Sequence, residues 1–187
     1  MKKALMIASV LLIAVISTAC INNIAVQELN NKAAEYMQKG DYESAMNRLQ
    51  ASLDLDATMY ETHYNLGVAA INAKKYDKAI EALENGIKIK PDFADFYYSL
   101  GIAQSSFADE IMEPDEDEVS EDKKEDEVQQ PSEEDKTKAV DLKKSAAENL
   151  TKYLEMKPDS AEKQTIEELI KEADEFVGQN GLDKAAE

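Results

Sequence analysis

A chain of 187 residues that is 43% apolar and only 6% aromatic suits one modest domain with a helical core of Ala, Leu, Ile and Tyr, and is not a two-domain enzyme. Its 39 acidic residues against 21 basic ones leave a formal net charge of −18. That balance argues against nucleic acid as a partner, because such binding depends on basic side chains displacing counterions.

The first element is an export signal. Lys2 and Lys3 precede the apolar run Ala4 to Ile16, and the small polar stretch Ser17-Thr18-Ala19 follows. The run is too short for a spanning helix, which needs about 20 residues. The only cysteine, Cys20, stands at the cut site, so no intramolecular disulfide is possible. Ile16-Ser17-Thr18-Ala19-Cys20 resembles the lipobox of bacterial lipoproteins, with Ser17 where leucine is usual. The resemblance implies a signal peptide over 1–19, a diacylated Cys20 as mature N-terminus, and a lipidated linker over 20–25. Ser17-Thr18-Ala19 also suits ordinary signal peptidase, which would leave a secreted chain. On the lipoprotein reading the protein is extracytoplasmic and lipid-anchored to the cell envelope. Ile21 rather than aspartate after the cysteine permits the outer membrane, if the cell has one.

Beyond the signal, core-type residues recur at a fixed offset of 34. Tyr42, Ala45, Leu49, Leu53 and Leu55 are matched by Tyr76, Ala79, Leu83, Ile87 and Ile89. Ala33 is followed by Gly67 and then Gly101, and Tyr64 by Tyr98. Ala79, Leu83, Ile87, Ile89 and Pro91 return as Ala146, Leu150, Leu154, Met156 and Pro158, one repeat later plus an insertion. Each unit reads as two amphipathic helices, with Gly40-Asp41 turning the first pair through a residue that tolerates positive φ. Gly67, Gly86 and Gly101 fall inside helices, where each costs roughly 1 kcal/mol relative to Ala, so close helix contact is expected to offset them.

These positions resemble the tetratricopeptide repeat (TPR). The resemblance implies an all-α, right-handed solenoid of about three helix-turn-helix repeats plus a C-terminal capping helix. Its repeats are 26–59, 60–93 and a third, 94–160, split by an insertion at about 109–137. Ala57 stands where proline is usual, and Lys143 where Tyr42 and Tyr76 sit in the earlier units. A capping helix over 161–177, with Ile166, Leu169, Ile170 and Ala173 on one face, precedes a flexible tail at 178–187.

The stretch from Asp109 to Lys136 carries about two thirds of the net charge. With so little apolar surface to bury, the insertion is expected to be disordered, a solvated spacer or alternatively a bait for a basic partner or divalent cations. It lacks the glycine of a calcium loop. His63, the lone histidine, is expected to be packed rather than catalytic. No metal set, phosphate loop or serine elbow appears, so neither enzyme activity, a cofactor nor a small-molecule substrate is expected.

In TPR proteins the first helices of successive repeats line a concave groove that takes a protein or peptide. Carried over, those positions are Asn30, Met37 and Gln38, then Tyr64, Asn65, Val68, Ile71 and Asn72, then Tyr98, Ile102 and Ser105. Tyr64, Ile71 and Tyr98 are expected to be exposed there, and Gly67 and Ala79 buried between helices. Asp95 and Ser99 occupy positions where a basic clamp for a C-terminal carboxylate would stand, which disfavours a chaperone-tail ligand. The resulting expectation is a membrane-anchored envelope scaffold that binds a protein or peptide.

Overall fold

The computed structural model describes residues 24–113 and 131–181. Their secondary structure is entirely helical: α1 (24–38), α2 (Tyr42–Leu55), α3 (Tyr60–Asn72), α4 (Tyr76–Ile89), α5 (Ala94–Met112), α6 (Glu133–Met156) and α7 (Lys163–Asn180). Short turns force α1 to α5, and again α6 and α7, to run antiparallel to their neighbours, and successive helices from α2 to α7 pack against one another. The described residues form an all-α solenoid of three hairpins closed by α7, the architecture that the repeat resemblance implies.

The turns between paired helices repeat with the sequence. Asp41 N–H donates to Tyr36 O at 3.0 Å and Lys75 N–H to Ala70 O at 2.8 Å, bonds that lie 34 residues apart. Each spans a residue in the left-handed region, Gly40 at φ 73° and Lys74 at φ 55°. The Asp41 carboxylate then caps α2 by accepting the Ser44 N–H at 3.1 Å.

Two clusters make the core. The first gathers Ala33, Ala45, Leu49, Ala69, Ala79, Leu83, Phe96 and Leu100 from α1 to α5; the second gathers Ala94, Leu150, Tyr153 and Ile166 from α5 to α7. Helix α5 serves both, with Phe96 and Leu100 in one and Ala94 in the other. The expected close contacts are present. A Cβ on Gly67 would lie 2.5 Å from Leu83 Cγ, and one on Gly101 would lie 2.7 Å from Leu150 Cγ, the same contact one repeat on. Ala79 is fully buried, as expected.

Several expected boundaries shift. Residues 109–112 continue α5, and α6 starts at Glu133, so both ends of the expected insertion are helical. The physical reason at the second end is a capping box: Ser132 Oγ accepts the Asp135 N–H at 3.1 Å, and Asp135 Oδ2 accepts the Ser132 N–H at 3.1 Å. Acids that read as solvated spacer are favoured here by the helix dipole. The capping helix spans Lys163–Asn180, so 178–180 belong to it rather than to the tail. Residues 114–130, the remainder of the expected insertion, lie outside the described residues, as do the expected signal segment and Cys20.

Lys143, at the position of the earlier tyrosines, is buried. Its ammonium lies 2.6 Å from Asp109 Oδ1, donates to Ser105 Oγ at 2.9 Å, and sits 5.7 Å from the Phe176 ring centroid. A lysine stem with these partners at its tip replaces the aromatic and ties α5, α6 and α7 together.

Candidate protein-binding face

The first helices of the three hairpins leave one stripe each incompletely covered. On α3 it comprises Glu61, Tyr64, Asn65, Val68 and Asn72, at spacings of three, four and seven; on α5 it comprises Asp95, Tyr98, Ile102, Ser105 and Asp109. Gln27, Asn30, Ala34, Met37 and Gln38 form the counterpart on α1. Helices α3 and α5 also touch directly, so their stripes adjoin.

Tyr64, Ile71 and Tyr98, expected to be exposed, are half-buried. Tyr64 stands edge-on to Phe93 at 5.3 Å and to Phe96 at 5.7 Å, and Tyr60 joins the group at 5.6 Å from Phe93. Tyr98 packs against Tyr153 at 5.3 Å. Burial, with the Glu162 carboxylate adding to it, holds the Tyr98 hydroxyl above its usual ionisation range. Ile71, Met37 and Ile102 likewise lean on the core clusters. The reason is that a helix one turn from its neighbour shares its boundary residues between core and surface.

Asn30 is also corrected. Its Nδ2 donates to Val26 O at 3.0 Å and Ser52 Oγ at 3.1 Å, and its Oδ1 accepts the Thr62 hydroxyl at 3.2 Å. The amide therefore locks α1 to α2 and α3 and is not a free ligand contact. Asn65 and Val68 are half-exposed, while Gln38 and Asn72 are exposed, Asn72 Nδ2 donating to Val68 O at 2.8 Å.

Sequence reasoning missed the aromatic supports Phe93, Phe96 and Tyr153. The pairs Tyr60/Tyr64 and Phe93/Phe96, at the starts of consecutive first helices, were the available signal. It also missed that Lys157 bonds Asp95 at 2.6 Å across the mouth of the face. That hydrogen bond is the main reason the Lys157 ammonium holds its proton above the usual range. His63 is buried, and its Nε2–H donates to Ala57 O at 3.0 Å, so it staples the loop where proline is usual. Among the described residues no group of His, Cys, Asp or Glu is placed to hold a metal, and no helix is long and apolar enough to cross a membrane.

Two cavities among the described residues lie away from the stripes: about 580 Å³ along α6 beside Thr137 and Leu142, and about 430 Å³ between α2 and α4 above His63. Adjoining helix stripes offer a surface along which a chain segment can lie.

Residues 36–101 match the family model described as tetratricopeptide repeat. No curated protein matches the chain. Among solved structures it is similar to the second TPR domain of human RPAP3 in complex with an HSP70 peptide (13% identity, 80% of this chain and 98% of that one, TM-score 0.59). It is similar also to the Arabidopsis OM64 TPR domain (13%, 81% and 98%, TM-score 0.59). A third is the Yersinia enterocolitica type III secretion chaperone SycD in complex with a peptide of the translocator YopD (17%, 84% and 93%, TM-score 0.51).

Proposed function

The chain is a tetratricopeptide-repeat protein, and on that premise we propose that it is a lipid-anchored adaptor of the bacterial envelope that binds a protein or peptide on the face of α1, α3 and α5. The observation that carries the binding role is the adjoining pair of half-covered stripes on α3 and α5, whose tyrosines are already held by aromatic neighbours. A side chain immobilised before binding loses less entropy on association. Asn65 and Val68 beside them offer hydrogen bonding and apolar contact to an extended or helical segment. RPAP3 and SycD, which share the fold, are complexed with peptides, and that supports the same mode here. The acidic chaperone tail carried by the RPAP3 complex does not suit this chain, because Asp95 and buried Ser99 occupy the positions expected for a basic clamp. The envelope assignment rests on the signal and lipobox residues up to Cys20.

The binding role is tested by affinity capture from solubilised membranes with mass spectrometry. Asn65→Ala, Val68→Ala and Asn72→Ala combined should hold stability within about 0.5 kcal/mol per site and still lose most of a stoichiometric partner. Undiminished capture would sink the face. Tyr64→Ala and Tyr98→Ala are poorer probes, since they also strip the core.

Anchoring is tested separately by fractionating cells that express Cys20→Ser. The expected result is loss of the diacylglyceryl mass at residue 20, with the chain released from the membrane wherever its signal peptide is removed and held there only while that peptide is uncleaved. A membrane-bound variant with unchanged mature mass would rule out lipidation.

A further inference from the structure

We propose that the edge of the solenoid carrying Ile24, Leu55 and Ile89 lies on the lipid surface beside the anchor, so that the molecule stands on the membrane by one rim. The proposal rests on the lipidation of Cys20 argued above.

In an antiparallel array the starts of α1, α3 and α5 and the ends of α2, α4 and α6 share one rim. Cross-ties between elements establish this. Lys157, at the end of α6, bonds Asp95 at the start of α5, and the Lys90 ammonium, at the end of α4, lies 4.5 Å from the Tyr60 ring centroid at the start of α3. The large apolar side chains that stay exposed among the described residues are Ile24 at 68%, Leu55 at 41% and Ile89 at 41%, and all three belong to that rim. Single exposed apolar residues are ordinary. Their confinement to one rim is the informative point. Leu55 and Ile89 are equivalent positions of successive repeats, and the third equivalent, Met156, is half-buried in the cluster that α7 completes.

Chain length supplies the occupant. Four Cα steps separate Cys20 from Ile24, which limits the distance from the lipidated residue to the rim to about 14 Å. A rim held that close to acyl chains places its aliphatic side chains at the interface, where binding scales with buried apolar area. The charge layout agrees. Asp54, Asp56 and Asp92 share the rim with Lys88 and Lys90, so it is suited to uncharged headgroups rather than to anionic ones. The described residues at both ends of the acid-rich stretch, Glu113 and Pro131, lie on the opposite rim, away from the membrane.

The test uses the lipidated full chain purified from membranes and reconstituted in phosphatidylcholine vesicles. An environment-sensitive fluorophore is placed on Ala57→Cys at this rim or on Lys39→Cys at the other. The Ala57 probe should be shielded several-fold from an aqueous quencher while the Lys39 probe stays open, and added phosphatidylglycerol should reduce the shielding. Leu55→Ser with Ile89→Ser should abolish it while the chain still floats with the vesicles. Equal quenching of both probes on a floating chain overturns the rim contact and leaves lipidation standing. Shielding of the Ala57 probe that persists in a Cys20→Ser chain free of both vesicles and detergent overturns it in favour of a second copy covering the rim. A chain that neither floats nor carries lipid mass overturns both readings.

Discussion

Gly40 and Lys74 hold the same left-handed position in successive turns, with φ 73° and 55°. An L side chain there costs about 1–2 kcal/mol, from which glycine is exempt. Gly40→Ala should therefore destabilise by about 1 kcal/mol. Lys74→Gly should stabilise by a smaller amount, about 0.5 kcal/mol, because relief of strain is partly offset by the looser unfolded chain. Thermal melts of the two variants should move in opposite directions. The turn was legible at Gly40 because glycine advertises positive φ. It was not legible at Lys74, where local bonding from Lys75 N–H to Ala70 O imposes a conformation that the residue type does not signal.

At the scale of the element, α6 shows how a start signal can hide in a charged run. Ser132 and Asp135 form a capping box, but they sit among acids that composition alone assigns to solvent. The Ser132 hydroxyl and then its backbone N–H donate to Asp135 and hold that carboxyl below its usual range. Because the folded state lowers this pKa, the stabilisation is fully present above the unfolded value near 4 and is lost as pH falls through the lowered one. The stability gap between the parent and Asp135→Ala should accordingly be widest at neutral pH and close in acid. A gap that stays constant down to pH 2 would show that the box does not act through the ionised carboxylate. The helix-interior glycines were the opposite case, legible as close contacts because repeats place Gly67 and Gly101 at one position, with Leu83 and Leu150 opposite.

For the whole molecule, the join between α5 and α6 decides how the third repeat closes. Lys143 reaches Asp109 and Ser105 across it, so the two helices dock through described residues. Replacing 114–130 by a Gly/Ser linker of about eight residues should keep the melting temperature equal or slightly raised. Halving a loop relieves only about 0.6 kcal/mol of closure entropy. Replacing 110–135 should instead lower melting, since it removes the end of α5 and the capping box. Calorimetry on the two variants separates these outcomes.

Repeat length, the paired helices, the turn at Gly40 and the tightly packed glycines followed from the sequence alone, because each recurs at an offset that a single fold explains. Which boundary side chains face outward was decided only by tertiary packing. Tyr64 and Tyr98 sit where neighbouring helices meet, and whether an aromatic there is surface or support depends on Phe93, Phe96 and Tyr153 arriving from other elements. The same holds for Asn30, whose amide reads as a ligand contact until Ser52 and Thr62 are brought beside it, 22 and 32 residues along the chain. Periodicity reports the face of a helix, whereas the identity of what covers that face is set by contacts between residues far apart in the chain.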